Sequence, residues 1–301
     1  MKLVFEQLLV LYVFIGIGFL IGKLLKSKCE HTEILSVLLV NVFLPAKVFK
    51  SFATNFTVDF ISQKYTLLIA SCVLLILLVL IAPLISKWLG KSNNEKNVYK
   101  YSVPISNYAY LGYVLIESVF GSLFLTDFIF FAIPFIFYTY TFGYAILTNS
   151  SKNVKKLINP ITVAIILGAV VGLTGLNMPK TILTIIFGAS ACVGPLSMIL
   201  TGIVLSTFAL GKLFTDLNSY IFLAVKMVFI PAVCFGFCYL VGLEQISYMV
   251  LIITCMPCGL NPIVFSKLIG EDSKPGARLV ILSHLVAIIS LPLWLSLISI
   301  L

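Results

Sequence analysis

The feature that most constrains the fold is a succession of apolar runs of about twenty residues, each long enough to cross a bilayer as a helix. The run 66–86, TLLIASCVLLILLVLIAPLIS, contains no ionisable residue. Each unpaired backbone group in hydrocarbon costs several kcal/mol, so a run of this length indicates a helix. Because 60% of the 301 residues are apolar and 10% are charged, one soluble core could not bury them. The sequence therefore predicts an all-α polytopic membrane protein.

Ten such runs follow one another along the chain. We predict membrane spans at 5–26, 33–52, 66–86, 98–119, 123–148, 159–176, 182–210, 218–242, 246–268 and 277–300. Residues 53–65 are predicted to be an amphipathic connector and residues 90–97 a short cytoplasmic turn. Pro45 should interrupt the second span. Gly168 and Gly172 form a GxxxG face suited to close helix contact.

The distribution of basic residues between the loops predicts the orientation. Most of them lie after odd-numbered spans: Lys23, Lys26, Lys28, Lys87, Lys91, Lys96, Lys100, Lys152, Lys155, Lys156, Lys212, Lys267, Lys274 and Arg278. The positive-inside rule makes this face cytoplasmic, so we expect a multi-pass protein of the cell (plasma) membrane with both termini extracytoplasmic. The net charge of +9 mostly reflects this bias. A nucleic-acid partner would need a soluble basic domain, which these runs do not provide.

Two helix-breaking inserts lie inside apolar runs. The ninth span contains Cys255–Pro262, CMPCGLNP, and the fourth contains Pro104–Asn107, PISN. Each insert places an asparagine about one turn after a proline, as in Pro257 and Asn261. Such a break is tolerated in a membrane only where protein or a water-filled cavity covers it. We therefore predict two discontinuous helices beside something polar.

The prolines of the ninth span leave particular carbonyl groups without their helical donors. Proline has no N–H, so Pro257 releases the carbonyl of Ile253 and Pro262 releases that of Cys258. Gly259 loosens the turn between them. Freed carbonyls near Ile253 and Cys258 form a candidate Na⁺ site, because the C-terminal ends of half-helices suit cations.

The prolines also indicate an internal repeat. Prolines recur in the two halves at offsets near half the chain length, in the pairs Pro45 and Pro195, Pro83 and Pro231, Pro104 and Pro257, and Pro134 and Pro292. Because five spans is an odd number, the second copy enters the membrane from the opposite side. We predict two inverted five-helix repeats, residues 1–150 and 151–301.

The broken helices carry the candidate binding site. A half-helix N-terminus has roughly half a positive charge and free N–H groups, which suit an anion. Asn107 and Asn261 can donate amide hydrogens to a carboxylate without burying a permanent counter-charge. The other candidate substrate-binding residues are Pro104, Ser106, Tyr108, Pro257, Gly259, Pro262 and Asn41. For Asn41, binding to loosened backbone and binding to a ligand remain equal alternatives.

Three ionisable residues within the spans are candidate charge or coupling sites. Lys226 either faces a cavity or a partner, or extends its ammonium group to the membrane surface. His284 is either a satisfied hydrogen bonder or a proton relay. Glu117 is either a proton or cation site or a residue at the membrane boundary. No cofactor is expected. The sequence leaves open whether transport is coupled to Na⁺, coupled to H⁺ or uncoupled. It also leaves open whether the protein forms a homodimer.

Other classes of function fit less well. The chain has no HExxH motif and no paired intramembrane aspartates, which argues against an enzyme. The seven cysteines are interpreted as packing residues, including the CxxC formed by Cys255 and Cys258. Packing and interface anchoring is the preferred role of Tyr138 and Tyr140, and hydroxyl groups that reach a cavity are the alternative. A membrane-embedded ligand sensor of the same fold, without net transport, remains the alternative to a carrier.

Six segments together resemble the auxin efflux carrier family. They are NVFLPAKVFKSF, SNYAYLGYVLIESVFG, NPITVAIILGAVVGL, GPLSMILTGIVLS, TCMPCGLNPIVFSKLIGED and ARLVILSHLVAIISLPLWL. The family includes plant auxin carriers and bacterial permeases described as malonate or malate transporters. The similarity covers nearly the whole chain in the right order.

The resemblance implies ten transmembrane helices, a scaffold domain and a transport domain in which broken helices 4 and 9 cross at Pro104, Asn107, Pro257 and Asn261. It implies a secondary-active transporter for a small organic anion, with the lipid bilayer as its surroundings. Plant members place an acid and a base on span 3, which the predicted span 66–86 lacks, so auxin itself is the less expected substrate.

Overall fold

The computed structural model describes residues 2–25, 30–148, 158–209 and 214–300. All regular structure in these residues is helical. The α-helices are α1 Lys2–Leu24, α2 Glu30–Leu38, α3 Leu44–Asn55, α4 Val58–Leu89, α5 Asn93–Ser102, α6 Tyr113–Tyr138, α7 Tyr144–Thr148, α8 Pro160–Thr174, α9 Lys180–Ala191, α10 Val193–Ser206, α11 Leu217–Ala224, α12 Ile230–Leu240, α13 Glu244–Cys255, α14 Asn261–Leu268 and α15 Lys274–Ile300. Wider π-helical turns occur at Leu39–Phe43, Tyr108–Gly112, Thr139–Gly143 and Val225–Phe229.

Length and composition make the chain a multi-pass membrane protein. Seven helical segments among the described residues are long and apolar enough to cross a bilayer: Leu3–Leu24, Ile34–Asn55, Val58–Leu89, Tyr108–Thr148, Lys180–Ser206, Leu217–Leu240 and Lys274–Ile298. Two shorter apolar helices are Pro160–Thr174 and Glu244–Cys255. Large apolar side chains such as Leu80 and Leu240 are exposed, as expected of surfaces that face lipid. The predicted all-α membrane class is confirmed.

The segment Tyr108–Thr148 is not one straight helix. Gly121 has φ 87° and ψ 177°, which no helical residue adopts and which glycine tolerates best. The chain therefore changes direction there, between the predicted spans 98–119 and 123–148.

Two predicted connections are shorter in the structure than their predicted bounds. The connector predicted at 53–65 is reduced to residues 56–57, because α3 continues to Asn55 and α4 begins at Val58, where the Thr57 side chain accepts a hydrogen bond from the Phe60 N–H. The turn predicted at 90–97 is reduced to residues 90–92, because Ser92 caps α5 by accepting from the Glu95 N–H. The polar first turns of these helices look like loops in sequence, but capping side chains satisfy their N–H groups.

The helices cross closely where glycine replaces larger residues. A Cβ atom at Gly172 of α8 would lie 2.4 Å from the backbone oxygen of Phe56, next to α3, so the predicted GxxxG contact is confirmed. A Cβ atom at Gly202 of α10 would lie 2.0 Å from the backbone oxygen of Ile15 in α1. The pairs α1 with α10 and α3 with α8 pack tightly for this reason.

The predicted interruption at Pro45 appears as a widened turn. The π-helical turn Leu39–Phe43 directly precedes α3, in which Pro45 occupies the first turn. A proline there removes the N–H that would bind the carbonyl four residues earlier, which favours such a widening. The predicted repeat boundary at 150/151 falls outside the described residues, as do Lys26, Lys28, Lys152, Lys155, Lys156, Lys212 and Cys29.

Candidate functional site

Both predicted inserts break their helices, and the two breaks touch. After α5 ends at Ser102, residues 103–107 are non-helical; after α13 ends at Cys255, residues 256–260 are non-helical. The backbone N–H of Asn107 donates to the carbonyl oxygen of Pro257 across the contact, with an N···O distance of 2.7 Å. The crossing thus lies inside the protein, where neither break faces lipid.

Protein donors bind the carbonyl groups at the end of α13. The hydroxyl of Ser106 donates to the Ile253 oxygen at 2.7 Å. The ammonium group of Lys226 donates to the Met256 oxygen at 3.0 Å. The Ile253 carbonyl does lose its helical donor to Pro257, as predicted, and Ser106 in the other break supplies the replacement.

A small polar cavity lies at the crossing. Its volume is about 40 Å³, and it is lined by Leu44, Tyr101, Ile105, Ser106, Asn107, Tyr108, Ala109, Tyr110, Thr139, Tyr140, Gly259, Leu260 and Asn261. No acidic or basic side chain is among these lining residues. A water needs about 10–15 Å³, so the cavity has room for one to about three waters. Its polar groups are hydroxyls, amides and backbone.

Two half-helices begin at this cavity. The helical turn after the first break starts at Tyr108, and α14 starts at Asn261. The first N–H groups of a helix lack intrahelical partners, and this end carries a partial positive charge. Both starting residues line the cavity, so two positive helix ends converge on it.

Asn107 is held by His284. The His284 Nδ1 lies 2.7 Å from the backbone oxygen of Val280, and its Nε2 lies 3.3 Å from the Asn107 Nδ2. These contacts assign the hydrogen to Nδ1, which donates to Val280, and leave Nε2 to accept from the asparagine amide. His284 is therefore a satisfied hydrogen bonder in this structure, and its bond is to the candidate site itself.

Asn261 and Tyr108 bind hydroxyl groups that sequence analysis missed. The Asn261 Nδ2 donates to the Tyr101 hydroxyl at 2.7 Å. The Tyr108 hydroxyl lies 3.4 Å from the Thr139 hydroxyl. Tyr140 also lines the cavity, as the alternative to packing and interface anchoring predicted. The available signal was the concentration of hydroxyl-bearing residues just before and after the first break.

The remaining predicted binding residues divide into two sets. Ser106 and Gly259 line the cavity, and the prolines Pro104, Pro257 and Pro262 lie in the segments that form it. Asn41 lies elsewhere, because its side chain is exposed and donates to the Val37 oxygen one turn earlier at 2.9 Å. It lines a separate cavity of about 330 Å³, together with Pro45 and Pro160.

The three candidate charge sites have defined partners. Lys226 is 2% exposed and binds the Met256 carbonyl, so extension to the membrane surface is wrong. Glu117 accepts hydrogen bonds from the ammonium groups of Lys47 and Lys50, a pairing that sequence analysis did not consider. The two lysines come from α3, four and seven positions after the widened turn.

A second ion pair joins three helices away from the crossing. Lys64 of α4 lies 2.9 Å from the Asp127 carboxylate, which also accepts from the Gln245 side-chain amide at 2.9 Å. The third span, which is helix α4, therefore does carry ionisable residues, because it begins at Val58 and not at residue 66. The sequence-based statement that span 3 lacks them followed from the wrong boundary.

Apolar helices packed around a buried crossing define a multi-pass membrane protein with a small polar cavity inside it. A family model described as membrane transport protein matches residues 3–157 and 145–295. The chain belongs to this family, the auxin efflux carrier family that its segments resemble, and is a membrane transporter, not an enzyme. No protein of curated function matches the chain significantly.

Proposed function

We propose that the chain is a secondary-active transporter that carries a small organic anion, a carboxylate, and binds it at the crossing of the two broken helices. The observation that carries this proposal is the shared cavity in which two half-helix N-termini meet the side chains of Asn107 and Asn261. Converging helix N-termini attract an anion through their N–H groups and partial positive charge. The two amides supply further donors.

A neutral site suits a carrier that must also return empty. The lining residues include no lysine or arginine, so the groups that would meet the substrate are uncharged, and the buried ammonium group of Lys226 is bound by the Met256 carbonyl outside this lining. The cavity of about 40 Å³ is too small for a carboxylate of several heavy atoms. The substrate therefore enters only when the crossing opens, as alternating access requires.

The proposed movement separates two groups of helices. The pairs α1 with α10 and α3 with α8, packed at their glycines, would form the scaffold. The helices that carry and surround the crossing, α4 to α7 and α11 to α15, would move against it. This division corresponds to ten spans in two inverted five-helix repeats, with both termini extracytoplasmic in the plasma membrane. The bend at Gly121 supports two spans within Tyr108–Thr148.

Counterflow in proteoliposomes tests this function. The purified protein is reconstituted with a panel of unlabelled mono- and dicarboxylates inside, and uptake of each labelled compound is measured with and without Na⁺ at two pH values. A carrier exchanges label for at least one carboxylate and not for a neutral analogue. Saturable binding without exchange would instead identify a ligand sensor. If no carboxylate is either exchanged or bound, the anion site is refuted.

A further inference from the structure

We propose that the ammonium group of Lys226 is a built-in cation at the broken end of α13, in the position where a coupling Na⁺ would bind, and that the transporter therefore works without Na⁺. This inference deepens the proposed function and rests on it for its transport consequence. The presence of the ammonium group at α13 can be tested separately.

The end of α13 has the chemistry of a cation site. A helix C-terminus carries a partial negative charge and unpaired carbonyl groups, and such ends bind cations in transporters with broken helices. Three carbonyl oxygens here are bonded by protein: Ile253 by the Ser106 hydroxyl, Met256 by Lys226, and Pro257 by the Asn107 N–H. Of these donors only Lys226 carries a full positive charge.

Among the described residues, no acidic side chain forms an ion pair with Lys226. Its side chain is 2% exposed. A buried charge usually has an ionic partner or a metal. Here the compensating group is the carbonyl of Met256 at the negative end of a helix.

The backbone around Lys226 is built to hold it there. Lys226 lies in the π-helical turn Val225–Phe229. Pro231 has no N–H for the carbonyl of Met227 four residues earlier, and the Trp294 indole donates to that oxygen instead, at 2.9 Å. The widened turn is thus stabilised by a side chain from α15. Such turns are frequent at functional sites.

An ammonium group in this position would exclude Na⁺. Lysine offers three donors on a compact charge, so it satisfies carbonyl oxygens much as a small cation does. A second cation on the same oxygens would be repelled by the first at short range, in a site with little screening. In this proposal the permanent charge of Lys226 therefore lies at the Met256 carbonyl, which stands in the chain between Ile253 and Cys258, the two residues that the sequence suggested for Na⁺.

The test compares the wild type with Lys226→Met, Lys226→Ala and Lys226→Arg. Thermal unfolding of the purified proteins is measured in sodium, choline and methylammonium chloride. We expect the wild-type and Lys226→Arg midpoints to be the same in all three salts. Lys226→Ala should unfold at least about 4 °C lower in choline and recover in methylammonium or Na⁺, which fill the vacated space. Lys226→Met fills that space with an uncharged chain and should not recover.

Exchange of the carboxylate found by counterflow gives the second measurement. Wild-type exchange should be equal in sodium and choline, and Lys226→Met should lose most of it in both. Stabilisation or stimulation of the wild type by Na⁺ would overturn the inference, as would wild-type behaviour of both Lys226→Met and Lys226→Ala. If Lys226→Ala does not fold, the inference is decided by comparing exchange in the wild type with exchange in Lys226→Arg and Lys226→Met. Failure of all carboxylate exchange would refute the proposed function, while the unfolding data would still decide the role of Lys226.

Discussion

The carboxylate of Glu117 is paired with the ammonium group of Lys47, which joins α6 to α3. Lys50, one turn later in α3, binds the other carboxylate oxygen at 3.0 Å. Lys47 is 4% exposed and Glu117 is 25% exposed, so the lysine is removed from water and its partner is partly exposed. In the proposed mechanism, α3 belongs to the scaffold and α6 continues from the crossing. The pair therefore spans the boundary at which movement would occur.

Glu117→Gln should destabilise the protein. Without the carboxylate, the buried ammonium group of Lys47 has no counter-charge, and we expect a loss of about 1.5–3 kcal/mol. Chemical or thermal unfolding of the purified variant measures it. The double variant Lys47→Met/Glu117→Gln removes both charges and should lose less than the sum of the single variants. Additive losses would show that the two residues do not interact.

Asn107→Ala and Asn261→Ala should abolish or severely weaken saturable uptake while leaving the yield of folded protein largely intact. Each removes an amide from the cavity, and a hydrogen bond to a charged group contributes about 1.5–3 kcal/mol, or roughly 10- to 150-fold in affinity. Uptake kinetics in proteoliposomes measure the change. Ser118→Ala is the control, because the Ser118 hydroxyl is exposed and binds only its own helix. Unchanged kinetics in both asparagine variants would exclude the crossing as the site.

His284→Ala should raise the KM for the carboxylate more than it lowers the maximal rate. His284 binds the Asn107 amide and does not line the cavity, so it acts by positioning that amide. In the double variant with Asn107→Ala, the histidine should contribute no further loss, since its effect passes through the asparagine. If the two losses add, His284 has a separate role.

Gly202→Ala should lower the folded yield and the unfolding midpoint. The added methyl group would lie 2.0 Å from the Ile15 backbone oxygen, and α1 and α10 would have to separate. Overpacking of this kind costs about 1–3 kcal/mol. Gly188→Ala in α9 is the matched control, because its methyl group would meet nothing within 4 Å. Alanine also has the higher helix propensity, so the control should be neutral or slightly stabilising.

The hydrogen-bond partners at the crossing could not be read from the sequence. Pro257 predicts that the Ile253 carbonyl needs a new donor, but nothing local indicates that Ser106, 147 residues away, supplies it. The same holds for Lys226 and the Met256 carbonyl, and for Glu117 and its lysines. The start of α4 at Val58 was missed for a different reason, because a capped polar first turn resembles a loop.

Local chemistry was sufficient for the membrane class, the two helix breaks and the GxxxG contact. Hydrocarbon admits long apolar runs only as helices, proline removes a donor wherever it stands, and glycine always permits close approach. The pairings that turn these breaks into a candidate binding site came from the way the helices pack. Asn107 meets Pro257 and His284, and Asn261 meets Tyr101, only because distant segments are brought within hydrogen-bonding distance. A hydrogen bond requires donor and acceptor within about 3 Å, and that proximity depends on the positions of whole helices and not on neighbouring residues in the chain.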